Sequence, residues 1–144
     1  MSWSRLLRSF AVLGAFALGA CSSGGGTDPG GGITLTISAS SLNVIQGAVQ
    51  NLIATIGRTG DFDGSVTISV EGLPANGTAT ANPASIPSGS TSSTITFTVG
   101  AGATPATTTV TIRASGSGVD AETETLQLTI ASSTAPGYSF GLSQ

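Results

Sequence analysis

The sequence predicts an all-β fold in which two sheets face each other, and three observations carry that prediction. Apolar and polar residues alternate along most of the stretch from Ile33 to Ile130, as in strands that bury one face. Turn signals rich in Gly, Pro, Asn and Asp separate the alternating runs at short intervals. Charged residues make up only 8% of the 144 residues, too few for the surface helices of an ordinary soluble domain.

Seven strands are expected, each with apolar side chains on one face and mostly Thr or Ser on the other. In chain order they are ITLTIS (33–38), SLNV (41–44), LIATI (52–56), SVTISVE (65–71), TITFTV (94–99), TVTIRA (109–114) and LQLTI (126–130). The segments 46–47, 57–64, 72–77, 82–90, 100–105 and 115–120 are interpreted as turns. Ile68 and Phe97 are expected on the inner faces of opposite sheets.

The last strand contains a local conflict between charge and alternation. Glu122 and Glu124 have the same parity as Leu126 and Leu128, so an unbroken strand would point both carboxylates at the core. Burying an unpaired carboxylate is costly. The strand is therefore expected either to extend past the end of the sandwich or to carry a bulge.

Three stretches resemble bacterial immunoglobulin-like domains. They are SASSLNVIQGAVQNLIATI (38–56), GDFDGSVTISVEGLPANGTATANP (60–83) and STITFTVGAGATPATTTVTIRASGSGVDAETETLQLTI (93–130). The resemblance covers about residues 33–131 and implies an immunoglobulin-like antiparallel sandwich of about seven strands. Domains of that class serve as spacers, adhesins and appended binding modules. The disulfide and buried Trp of antibody domains are missing, because the chain has one Cys and its single Trp is Trp3.

Residues 1–20 are interpreted as a secretory signal peptide. Arg5 and Arg8 precede an apolar run from Phe10 to Ala20, which is too short to span a bilayer comfortably. The four residues Leu18, Gly19, Ala20 and Cys21 resemble the lipobox of bacterial lipoproteins. That resemblance implies cleavage before Cys21 and a diacylglyceryl thioether on its sulfur. The alternative is an ordinary signal peptide with an unrelated thiol nearby.

Residues 21–32 follow as the lipid-bearing Cys and a Gly/Ser-rich tether with too few apolar residues to pack. A flexible segment of this length has a root-mean-square reach of roughly 18 Å. Residues 33–131 form the predicted sandwich. Residues 132–144 form a C-terminal tail in which Tyr138 and Phe140 follow a Pro-Gly break. The tail is expected to fray or to lay its rings on its own domain. The alternative is that it serves as a docking peptide.

The chain is poor in chemistry-bearing residues. It has no His and no Lys, and its formal net charge of −3 argues against a nucleic-acid partner. No catalytic residues are expected, and no cofactor beyond the covalent lipid on Cys21. The weak candidates for a metal site are Asp61 and Asp63, in a D-x-D-G stretch that resembles part of a calcium loop. A turn in which Asp61 pairs with Arg58 is the favoured interpretation, so calcium is a candidate that the residues do not favour. Arg58 and Arg113 are both expected on the wet face.

The function expected from these features is that of a lipoprotein displaying a non-catalytic binding or structural module at the bacterial envelope. Its partners would be a membrane, through the lipid, and an unknown protein or glycan. The outer membrane or cell surface is favoured over the inner membrane. The alternative is an adhesin that binds carbohydrate or envelope components, assisted by calcium.

Overall fold

The computed structural model describes residues 30–133, which form an immunoglobulin-like sandwich of two packed sheets. These residues contain nine strands: β1 (Gly32–Ile37), β2 (Ser41–Ile45), β3 (Val49–Thr59), β4 (Val66–Glu71), β5 (Gly77–Asn82), β6 (Ser85–Ile86), β7 (Ser92–Val99), β8 (Ala106–Gly116) and β9 (Glu122–Ala131). The first sheet has the order β1-β3-β7-β5 and the second has the order β2-β9-β8-β4-β6. The described part of the chain has no helix of the length and apolarity that crossing a bilayer requires.

The core lies between the sheets and is built from the alternating apolar residues. Phe97 on β7 and Ile68 on β4 are both buried and belong to opposite sheets, as the alternation predicts. The buried apolar side chains form one cluster, so residues 30–133 enclose a complete sandwich core of their own. Polar side chains pair across the outer face of the second sheet. There the Oγ1 atoms of Thr107 and Thr129 lie 3.0 Å apart, and Gln127 Nε2 donates to Thr109 Oγ1 at 2.9 Å.

Two strands in the structure were not predicted. β5 lies between the turns expected at 72–77 and 82–90, and its Ala79 and Ala81 face inward between threonines. β6 lies within the segment 82–90, which was expected to be a turn. Ile86 of β6 is fully buried and pairs with Val66 of β4. A strand of two residues is too short for alternation to be visible in sequence, and alanine gives only a weak apolar signal.

One strand pair departs from the expected antiparallel pattern. β1 pairs with β3 in the first sheet, and the chain then crosses to the second sheet, where β2 pairs in parallel with β9. The remaining pairs are antiparallel. The crossing at residues 38–40 leaves part of β3 without a strand on the β1 side.

Glu122 and Glu124 lie where β9 forms an open edge of its sheet, because β2 pairs with β9 only from Gln127 onward. The register of β9 with β8 is continuous, from Ala106 opposite Ile130 to Ala114 opposite Glu122, so no bulge interrupts it. Glu122 is exposed and Glu124 is half-buried, whereas Leu126 is fully buried. The open edge keeps the charges in contact with water. The expected extension past the sandwich is wrong, because β8 runs beside both carboxylates and continues to Gly116.

Candidate interaction surface

The loops of the sandwich gather at two opposite ends. The tether end is defined by the entry of the chain at residues 30–32 and by the loops 60–65, 87–91 and 117–121. The far end is defined by the loops 46–48, 72–76 and 100–105, and β9 also runs toward it. Strands of up to 11 residues separate the ends, a span of about 35 Å at 3.3 Å per residue.

Arg58 joins the loops of the tether end through four backbone carbonyls. Its Nε donates to the carbonyl oxygen of Gly64 at 3.0 Å, and its Nη1 donates to that of Ser90 at 2.5 Å. Its Nη2 donates to the carbonyl oxygens of Ile86 at 3.2 Å and Pro87 at 3.1 Å. The expectation of a wet-face Arg58 was wrong: the residue is half-buried, and its guanidinium bonds to carbonyls instead of pairing with Asp61. Arg113, by contrast, is exposed as expected.

The chain enters the sandwich by crossing closely over the loop after β3. A Cβ added at Gly60, where φ is +60°, would lie 1.7 Å from the carbonyl oxygen of Gly30. A Cβ at Gly31 would lie 2.5 Å from the backbone nitrogen of Phe62. Only glycine permits this approach. The Phe62 ring packs against the core beside Gly64 and Gly116. The entry point of the chain is therefore fixed at this end.

The two metal-site candidates are both exposed in the loop that follows β3. Asp63 Oδ1 accepts a hydrogen bond from Ser88 Oγ at 2.9 Å, which ties this loop to the 87–91 loop. Within residues 30–133, no three side chains of the His, Cys, Asp or Glu type come together as a metal site would require. The role of Asp61 and Asp63 as turn residues stays a prediction. Cys21 and the residues of the lipobox lie outside the described residues.

Carboxylates are concentrated at the tether end. Four of the six in the described residues lie there: Asp61, Asp63, Asp120 and Glu122. Their charge is only partly offset by the guanidinium groups of Arg58 and of Arg113, which pairs with Thr123. The other two, Glu124 and Glu71, are level with the middle of β8. This end of the domain is acidic.

The far end carries no charged residue in its three loops, whose sequences are QGA, GLPAN and GAGATP. Side chains hold these loops together. Gln46 Nε2 donates to the carbonyl oxygen of Ala103 at 2.5 Å, and Asn76 Nδ2 donates to that of Gly102 at 3.3 Å. The backbone nitrogen of Ser133 donates to Gln46 Oε1 at 3.0 Å, so the end of the described chain also lies here. The result is an uncharged surface whose loops are held together by hydrogen bonds.

Solved structures share the fold at low identity. The chain is similar to surface layer protein SbsC in the structure of its domains 1–6, with a TM-score of 0.52, 15% identity, 71% of this chain covered and 13% of that one. For SbsC domains 4–9 the values are 0.51, 17%, 72% and 14%. A family 123 glycoside hydrolase from Clostridium perfringens gives 0.52, 11%, 69% and 27%.

These likenesses show a shared sandwich fold. The chain spans only 13 to 27% of the length of the three structures. No protein-family model matches the chain, and no curated protein matches it either.

Sequence reasoning missed the roles of Arg58 and Gln46. For Arg58 a signal was present, because the residue continues the inward parity of Leu52, Ala54 and Ile56. The Gln46 side chain reaches a loop 57 residues away, and such a contact depends on the arrangement of the strands. The sequence around Gln46 holds no comparable signal.

Proposed function

We propose that this protein is a bacterial lipoprotein, anchored through a diacylglyceryl group on Cys21, that displays a non-catalytic immunoglobulin-like module at the cell envelope. Two or three acyl chains hold a protein on a membrane effectively permanently, whereas one chain does not. The module has a structural or binding role toward another protein. The outer membrane or the cell surface is the proposed site.

The display of the module is argued from the different charge of the two ends of the sandwich. The chain enters at the acidic end, and the neutral loops 46–48, 72–76 and 100–105 lie about 35 Å away. A tether with a reach of roughly 18 Å would keep the acidic end near the headgroups and turn the neutral end outward. Charged residues are depleted at the centres of protein interfaces, so a neutral end suits contact with a partner protein.

The alternative, an adhesin that stacks its rings on sugars, has less support. Only two aromatic rings occur in residues 30–133, those of Phe62 and Phe97. Phe97 is fully buried and Phe62 packs against the core, so neither offers a free ring face. The loops of the far end also carry no charged residue that would orient an ionic glycan.

Metabolic labelling with an alkyne-bearing fatty acid tests the anchor. The native protein should take up the label and Cys21→Ser should not, because a hydroxyl is a poor nucleophile compared with a thiol. Ser22→Cys in the Cys21→Ser background is the matched control for position, since it restores a thiol one residue out of place. The proposal fails if the Ser variant is labelled as strongly as the native chain.

A further inference from the structure

The start of β3 forms an open sheet edge. β1 pairs with β3 only from Ala54 to Thr59, because the chain leaves the first sheet after Ile37. β7 pairs with the opposite side of β3 from Val49 onward. The segment Val49–Ile53 therefore has a strand on one side only. We call this segment the β3 edge.

Backbone groups of the β3 edge point toward the vacant side. The carbonyl oxygen of Ile53 accepts from Ser38 N at 2.9 Å, and Ile53 N donates to Ser38 Oγ at 3.0 Å. These bonds place the Ile53 peptide groups on the β1 side. Since peptide groups alternate along a strand, those of Val49 and Asn51 face the same way. The groups of Ile53 are already bonded to Ser38, so those of Val49 and Asn51 are the donors and acceptors offered to an added strand.

Apolar side chains flank these groups. Val49 is 53% exposed and Ile53 is 49% exposed, and both lie on the outer face of the sheet. Ile45, at the end of β2, is 54% exposed and completes the set of large exposed apolar residues in the described chain. No charged residue lies in the segment 45–53, although natural sheet edges are commonly guarded by charge, bulges or Pro. An uncharged, apolar strand would suit this edge.

The chain itself holds such a segment. Residues 134–144 lie outside the described residues and begin next to Ser133, which is hydrogen-bonded to Gln46, between Ile45 and Val49 in sequence. In YSFGL, Tyr138, Phe140 and Leu142 alternate with small residues, and Pro136-Gly137 precedes them as a turn signal. Five extended residues reach about 17 Å, which brings Tyr138 within range of the edge.

We propose that residues 138–142 add to the β3 edge as a strand of the same molecule. Tyr138 and Phe140 would then cover Val49 and Ile53 on the outer face. The short connection from Ser133 gives the tail an effective concentration in the millimolar range, which favours its own edge over that of another copy. The free edge is thereby closed against pairing with other chains.

Tyr138 provides the readout, because it is the only tyrosine and the single Trp is Trp3. A chain from Ser22 to Gln144 keeps the complete core of residues 30–133 and has Tyr138 as its dominant emitter. Acrylamide should quench Tyr138 severalfold less in this chain than in the free peptide TAPGYSFGLSQ. Val49→Lys/Ile53→Lys should raise quenching to the peptide level. Thr78→Lys/Thr80→Lys, which adds the same charge to the same sheet on β5, should leave quenching unchanged.

A second measurement does not depend on the Lys variants. In the chain ending at Ser133, the amides of Val49 and Asn51 should exchange with deuterium severalfold faster than in the chain ending at Gln144. The proposal is overturned if native Tyr138 is quenched like the free peptide, or if truncation leaves this exchange unchanged. It is also overturned, in favour of a second copy, if protection of Tyr138 disappears on dilution.

Discussion

Arg58 was expected on the wet face because of its charge, but in the structure it follows the alternation of its strand. The alternation of β3 points it inward, and the side chain accommodates this by passing its stem over the core and placing its head among loop carbonyls. Glu122 and Glu124 pose the same conflict on β9, and there the strand end stays in water. The long side chain of Arg58 can carry its charge from the core to the loops. The shorter Glu side chains cannot, so they need a part of the strand that is open to water.

Arg58→Met should lower the free energy of unfolding by about 2 kcal/mol, since hydrogen bonds to a charged group contribute about 1.5–3 kcal/mol. Methionine keeps most of the apolar stem, so the loss reports mainly on the guanidinium. Arg113→Met, at the exposed arginine, should change stability by less than about 0.5 kcal/mol. Urea denaturation of the domain measures both. Equal midpoints for the two variants would show that the carbonyl contacts contribute nothing.

At the scale of elements, alternation predicted the seven strands with strong apolar residues and failed for the other two. β5 has only alanines on its inner face, and β6 is too short to have a period. The parallel pairing of β2 with β9 could not be predicted either, because the pattern of a half-buried strand is the same in either direction. Pairing partners depend on contacts far apart in sequence.

The loop after β3, which holds Asp61 and Asp63, is interpreted as a turn, and a calcium site is the alternative. A native-state calcium site would add RT ln(1 + [L]/Kd) to stability, about 2.7 kcal/mol at a hundredfold excess over Kd. Calcium prefers 6–8 oxygen ligands, and the described residues bring no third carboxylate to Asp61 and Asp63. We therefore expect thermal midpoints in millimolar calcium and in chelator to agree within about 1 °C.

Asp61→Asn/Asp63→Asn is the control for that comparison, because it removes both charges and keeps the turn-forming side-chain shape. A midpoint that rises by several degrees with calcium in the native chain, and not in this variant, would contradict the turn interpretation. It would then favour the calcium-assisted adhesin.

At the scale of the whole molecule, the distribution of charge between the two ends gives the domain a direction. The sequence shows that charges are few, but it cannot show that four of the six described carboxylates share one end, because they come from two separate segments. Only the order and direction of the strands bring those segments together. The same order gathers the uncharged loops 46–48, 72–76 and 100–105 at the opposite end.

Energy transfer to a membrane tests that direction most directly. Gly30→Cys and Gly102→Cys place a thiol at the tether end and at the far end, and an added Cβ meets nothing within 4 Å at either position. With Cys21 lipidated, the new thiol is the only one free to take a donor dye, and the vesicles carry an acceptor on their headgroups. Transfer should be much stronger from position 30 than from position 102. Equal transfer from both positions, or stronger transfer from position 102, would contradict a domain held at its acidic end with its neutral end outward.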